Sequence, residues 1–198
     1  MKTTLPSLLL LLALAFGQAQ PLQYEILLGD KNIGKLDVQP SDLNHDDYTI
    51  SMKAHMSLPF TSVHSNFDVV FQNGTLSESK MVQKMNDKVR EHSIIERNGN
   101  HYEMKINGEQ KTIKGDITYS VVQLYHFEPK DRDKVFSERF GAYATITELE
   151  PHYYKISFPD GNDNKYRYEN GICVEMTTKH TLAKVTFQLK KNPAVIGE

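Results

Sequence analysis

Apolar and polar residues alternate along most of this chain in short runs, and turn residues separate the runs. In the segment DYTISMKAHMSL, Tyr48, Ile50, Met52, Ala54 and Met56 fall on one side and Thr49, Ser51, Lys53 and His55 on the other. A period of two residues is that of a half-buried strand. Phe67, Val69 and Phe71 repeat it, and YEILLG and NIGKLDV form a strand pair around Gly29-Asp30-Lys31-Asn32. It resumes in AYATITELE, YYKISF, KYRYE, ICVEMTT and AKVTFQLK.

Asn-Gly occurs four times, at 73–74, 98–99, 107–108 and 170–171. Both residues tolerate positive φ, which a type I′ hairpin turn needs at both central positions. A two-residue Asn98-Gly99 loop would set Tyr102 opposite Ile95 and Glu96 opposite His101. A two-residue Asn107-Gly108 loop would set Tyr102 opposite Ile113, giving one apolar row across three strands.

One stretch departs from alternation. In GDITYSVVQLYHFEP, Ile117, Val121, Leu124 and Tyr125 recur at helical spacing, with Asp116 or Thr118 to cap the start and Pro129 to end it. The pattern predicts a mainly β fold: a single antiparallel meander of roughly ten to thirteen strands, curled into a β-roll or open barrel. One short helix near residues 118–127 would cover an opening or an end.

The N-terminus changes the picture of where the protein acts. Lys2 precedes an uncharged apolar run, Leu8 to Phe16, and Gly17 and Ala19 supply the small residues that signal peptidase reads. Residues 1–19 are therefore expected to be a signal peptide and residues 20–198 one exported domain, periplasmic or extracellular. The apolar run is shorter than the ~20 residues of a spanning helix, so an integral membrane protein is not expected. Without Lys2, 22 basic residues face 25 acidic ones, a net charge near −3 and no footprint for nucleic acid. The one cysteine, Cys173, allows no intramolecular disulfide and fits a small strand residue.

Candidate chemistry is sparse. Asp160, Asn162 and Asn164 alternate as a calcium loop does, but the sixth and twelfth positions are Lys165 and Gly171, where an EF-hand needs Gly and Glu. FPDGNDNKYRYENG instead reads as strand and turn twice over, and leaves only Asp160, Asn162 and Asp163 for an adventitious cation. Ser77 and Lys80 match a hydrolase S-x-x-K string, but on a strand they point to opposite faces. Eight histidines make no zinc spacing, though His55 and His64 lie on adjacent strands. Asn73-Gly74-Thr75 fits a glycosylation acceptor but is better explained as a turn. No catalytic, cofactor-binding or metal-ligating residue is assigned, and no cofactor is expected. Ten Tyr and nine Phe, mostly at strand positions, are core packing or the lining of a concave apolar face.

YEILLGDKNIGKL, the segment DITYSVVQLYHFEP and the closing KISFPDGNDNKYRYENGICVEM together resemble a family of bacterial secreted β-roll proteins of unknown function. The resemblance implies a curved antiparallel sheet in the cell envelope, and no activity or ligand. Two readings of function follow. One is a non-catalytic binding or carrier protein holding an apolar or amphipathic small molecule or lipid in a cavity lined by Tyr, Phe, Met and Val. The other is an envelope interaction module with a solid core. A cavity above ~300 Å³ would favour the first.

The exported protein is expected to begin at Gln20. Intact-mass measurement checks this, and a chain retaining Leu8 to Phe16 would instead be anchored by that segment.

Overall fold

In the computed structural model, residues 20–41, 43, 45–180 and 183–190 are described. The signal peptide expected over 1–19 and the tail from Asn192 lie outside them. The strands are β1 (Leu22–Leu28), β2 (Lys31–Ser41), β3 (Tyr48–Leu58), β4 (Thr61–Gln72), β5 (Thr75–Met85), β6 (Lys88–Asn98) and β7 (His101–Ile106). They continue as β8 (Glu109–Lys114), β9 (Lys134–Ser137), β10 (Ala142–Glu150), β11 (Tyr153–Ser157), β12 (Asp163–Glu169), β13 (Ile172–His180) and β14 (Ala183–Leu189). All fourteen join one antiparallel sheet, one strand more than the upper end of the range expected from the pattern.

The meander closes on itself at one place and opens at another. β1 pairs with β14, so the two ends of the chain meet in mid-sheet. The order runs from β8 through β1 and β14 to β9, and β8 and β9 are the free edges. Side chains close this seam where no ladder does: Arg139 pairs with Glu91 of β6, and Gly141 packs on Ile106 and Met104 of β7. A Cβ on Gly141 would come within 2.9 Å of Ile106, and its φ of 57° independently favours glycine.

All odd-numbered strands run toward the same end of the roll, as the alternation of an antiparallel meander requires. The turns Gly29-Asp30, Pro59-Phe60, Asn86-Asp87 and Asn107-Gly108 gather there, with the β9–β10 and β11–β12 connections. Residues 115–133, between β8 and β9, start and finish at the opposite end.

That connection enters the roll as a plug. The expected helix is a short 3-10 turn, Val121–Tyr125. The chain before it is extended, because Ile117 O accepts the Leu76 N–H at 2.8 Å and Tyr119 O accepts the Phe136 N–H at 3.0 Å. With both ends of the segment tied to strands, only one tight turn fits between them. Gln123 Oε1 accepts the Ser120 N–H at 2.7 Å and Gln123 Nε2 donates to Tyr48 Oη at 2.6 Å, which satisfies the turn internally and ties it to β3. Val122, Leu124 and Tyr125 are buried in the core.

Three of the four Asn-Gly pairs form the expected turns, with positive φ at Asn73, Asn107, Asn170 and the glycine after each. Asn86-Asp87 forms a further turn of this kind, with φ of 48° and 62°. Asn98-Gly99 does not. Only Gly99 has positive φ and the loop is Gly99-Asn100, the pattern of a type II′ turn with glycine first. Tyr102 therefore faces Arg97, Ile95 faces Met104, and Glu96 faces Glu103 rather than His101. The row Tyr102–Ile113 is as expected. A slip of two residues leaves every side chain on its own face, so Tyr102 and Ile95 are both fully buried despite the changed partners.

Tyr102 is expected to be the strand's anchor. Its hydroxyl donates to Leu76 O at 2.9 Å and accepts from Ile117 N–H at 3.3 Å, joining β5, β7 and the plug. Tyr102→Phe is expected to cost about 1–3 kcal/mol by leaving those backbone groups unpaired. Tyr102→Ala adds the cavity of a lost ring, for a total of about 3–5 kcal/mol. Exposed Glu103→Ala should stay within about 0.5 kcal/mol. Denaturant melts of the three variants check this order, and equal costs at 102 and 103 would contradict it.

Candidate functional site

The odd-strand end of the roll opens into a cup of about 280 Å³ whose floor is the plug. Val121 and Tyr125 of the 3-10 turn form the floor. Met52 and Met56 of β3, Phe67 of β4, Met176 of β13 and Phe187 of β14 form an apolar wall. Phe140 and Phe158 stand nearer the mouth, their ring centroids 5.8 Å apart. The rim is polar: Gln83, Arg139, Asp160, Asn162, Thr178 and Lys179. An apolar interior beneath a polar rim follows from strand alternation, which turns Met52, Ala54 and Met56 inward while Lys53 faces out. The volume lies just under the ~300 Å³ lower end of ordinary ligand pockets. Thioether side chains adapt to irregular apolar shapes, which lets Met52, Met56 and Met176 pack this wall without filling it.

Glu138 is the unusual group in this wall. It follows β9, is fully buried, and neither carboxylate oxygen has a hydrogen bond of normal geometry. Its nearest polar neighbours are the Ser120 hydroxyl and the backbone N–H groups of Val121 and Val122. The Ser120 hydroxyl is itself unpartnered. Burial pushes the Glu138 carboxyl up to about 7, and those neighbours only partly oppose the rise. Near neutral pH the wall thus holds a carboxyl close to its midpoint of ionisation. Nothing in the local sequence, FSERFG, distinguishes Glu138 from a surface acid.

The other candidates are dispersed. Asp160 lies on the rim, where its Oδ1 accepts the Asn162 N–H at 3.1 Å and its Oδ2 accepts the Asn162 side-chain N–H at 2.8 Å. These bonds lower its pKa in spite of the opposing effect of burial. They close the Asp160–Asn162 turn, with Gly161 at a φ of 82°. Among the described residues no three His, Cys, Asp or Glu side chains come together as metal ligands. Ser77 binds Gln72 Oε1 at 3.1 Å and Lys80 is exposed on the same strand. His55 and His64, whose faces the sequence leaves open, are directly opposed on the outer face. A ring nitrogen of one lies 3.1 Å from the other, in register with Lys35 on one side and Lys84 on the other. His101 contacts Glu103 at 3.5 Å.

Cys173 is fully buried beneath a group of tyrosines. Tyr24 Oη donates to its carbonyl at 2.7 Å, and burial pushes the thiol well above its ordinary range. It is a packing residue, as expected, more deeply placed than a half-buried strand position.

Residues 24–190 match a family described as a domain of unknown function (DUF6134). The fold is also similar to the crystal structure of a β-barrel-like protein of another domain of unknown function, DUF1849, from Brucella abortus. The TM-score is 0.55 at 10% identity, over 86% of this chain and 96% of that one. No curated protein matches the chain. The resemblance to a β family without an assigned function is thus met.

The ionisation of Glu138 gives a test of its place in the wall. Its folded-state pKa is raised from 4.5 to about 7, so between those values the native state holds the proton that the unfolded chain has lost. The stability it contributes is full below about pH 4.5 and is lost as pH rises toward 7. Glu138→Gln, uncharged throughout, is expected to gain on the wild type by roughly 3 kcal/mol between pH 4.5 and pH 8. Denaturant melts of both proteins at the two pH values measure this, and a constant difference would show that Glu138 ionises freely.

Proposed function

The chain belongs to the family described as a domain of unknown function (DUF6134), and for it we propose a binding or carrier role toward a small apolar or amphipathic molecule. The observation that carries the reading is the cup. It is apolar where Met52, Met56, Met176, Phe67 and Phe187 meet, and open at one end to a polar rim. That gradient fits a guest with an apolar body and a polar head. The body would displace poorly bonded water from the Met and Phe wall, and the head would stay with Asp160, Asn162, Thr178 and Lys179 at the mouth.

Secretion to the cell envelope, expected from residues 1–19, agrees with a carrier of poorly soluble molecules, and belongs to the same proposal. An interaction module would need a filled core; a space of about 280 Å³ is not filled but lies just under the ~300 Å³ mark, so it is the apolar wall beneath a polar rim that favours the carrier reading.

Ala54 offers a clean test, because its methyl group faces the cup and its strand neighbours face out. Ala54→Phe should fill the space without disturbing the ladder. An environment-sensitive probe such as N-phenyl-1-naphthylamine is expected to brighten with the wild type. With the variant it should lose about tenfold in affinity, the loss of a pocket contact worth roughly 1.4 kcal/mol. Equal binding by both proteins, with melting temperatures unchanged, would place the probe elsewhere and sink the reading.

A further inference from the structure

The hairpin between β3 and β4 extends past the ladders that join it to β2 and β5. The β2–β3 ladder ends at Gly34 and Met56, and the β4–β5 ladder ends at Val63 and Met85. The β3–β4 ladder continues for two more rungs, Ser57–Ser62 and Leu58–Thr61, and turns at Pro59-Phe60. Asn86 steadies the base: its N–H donates to Ser62 O at 2.9 Å and its Oδ1 accepts the Ser62 N–H at 2.8 Å. Beyond that clamp neither β2 nor β5 forms a ladder with the tip.

Its composition is opposite to that of an ordinary projecting turn. From Met56 to Ser62 the sequence is MSLPFTS, with no charged residue. Phe60 is 92% exposed and Leu58 39% exposed. Exposed turns ordinarily carry Asn, Asp, Gly or Ser, as the other hairpins of this sheet do at Asn86-Asp87 and Asn107-Gly108. Lys84 and Lys88 flank the base of the tip, exposed, with Asp87 between them. Strand direction places this tip at the same end as the mouth of the cup.

We propose that the Leu58–Thr61 hairpin tip docks on a lipid bilayer, inserting Leu58 and Phe60 among the acyl chains and holding the mouth of the cup against the lipid surface. The size of the tip favours lipid over a protein partner. A stable protein interface takes about 800 Å² from each side, far more than four residues can offer. A bilayer asks for no shape complementarity, only apolar side chains that reach below the headgroups and polar ones that stay among them. Pro59 restricts the turn, so little freedom is lost when the tip inserts. Lys84 and Lys88 stand at the level where headgroup phosphates would lie, while Asp87 limits the net attraction, so acyl-chain contact is the main contribution. The proposal takes its purpose from the carrier reading, since a guest could pass from lipid to cup without crossing water, but its measurement does not depend on that reading.

The experiment is flotation of the mature chain with vesicles of phosphatidylcholine, alone and with phosphatidylglycerol. The wild type is expected to float with both. The double variant Leu58→Ser, Phe60→Ser should lose at least about tenfold in vesicle affinity, the least expected from withdrawing even one large apolar side chain. It should keep its melting temperature, because Phe60 is 92% exposed and the Asn86 Nδ2 bond to the tip goes to the Phe60 carbonyl, which the substitutions leave in place, and keep N-phenyl-1-naphthylamine binding in solution. Ala54→Phe should float like the wild type. Wild-type protein that ignores both vesicles, or a double variant that floats as well as the wild type, would overturn the docking proposal. So would tip-dependent self-association without vesicle binding, which would assign the tip to a second copy of the chain. Vesicle binding that survives while the probe fails to bind would leave docking intact and remove the carrier reading instead.

Discussion

A stretch of backbone that crosses the inside of a β-roll has no ladder to satisfy it, and each peptide group it buries needs a partner supplied from the walls. Residues 116–127 meet this requirement with tyrosine hydroxyls, two from the walls and one of their own, and with the amides of Leu76 and Phe136. Tyr102 Oη serves Leu76 O and Ile117 N–H, Tyr168 Oη donates to Leu124 O at 2.8 Å, and Tyr119 Oη donates to Phe127 O at 2.5 Å. Each such bond contributes only about 1 kcal/mol net, but an unmade one would cost about as much or more. The plug is held by the sum of them, and with it the floor of the cup and the position of Glu138 above Ser120. The same bonds explain why the tyrosines sit where they do. A phenylalanine could fill the space but would leave the crossing segment without its partners.

The seam is the counterpart of the plug. Fourteen strands leave β8 and β9 as free edges, and the 115–133 connection runs from one edge to the other through the inside of the roll. Free edges invite pairing with other chains. Here Arg139–Glu91 and the close approach of Gly141 to β7 occupy the seam at the open end, and the Ser120–Phe136 bridge occupies it deeper in. The residues that close the seam border the cup: Arg139 is on its rim, and Glu138 beside it is in the wall. Closing the sheet and shaping the cavity are therefore one structural problem, solved by one short loop.

Division of labour between the two ends of the roll follows from chain direction. At the plugged end the connection folds inward and the surface is closed. At the other end the hairpins are free to differ in length, and the β3–β4 ladder runs two rungs past the last ones it shares with β2 and β5. Gly34 helps set this difference. A Cβ there would lie 1.9 Å from the His55 carbonyl oxygen, so only glycine allows β2 to approach β3 so closely at the last rung they share. An apolar interior, a polar rim and an uncharged projecting tip thus lie in sequence along one axis.

Much of the fold is written in local pattern. Alternation of side chains along each strand decides which residues face inward, and the Asn-Gly pairs at 73, 107 and 170 decide where the chain turns. Both depend on near neighbours only, so both are legible without a structure. Where two local solutions compete, as at Arg97-Asn98-Gly99-Asn100, composition does not choose between a I′ and a II′ turn, and the register moves by two without changing faces. Other features join residues far apart in the chain: the β1–β14 pairing, the tying of Ile117 and Tyr119 to β5 and β9, and the burial of Glu138 over Ser120. None leaves a local signal, because an acid in FSERFG or a helical spacing in VVQLY looks the same whether it ends in solvent or in the core. The sequence by itself determined an antiparallel meander with its inward faces. Tertiary structure alone decided that the meander has a seam, a plug and a cup, because those arise from closing the sheet, and closure is settled only when all the strands are in place.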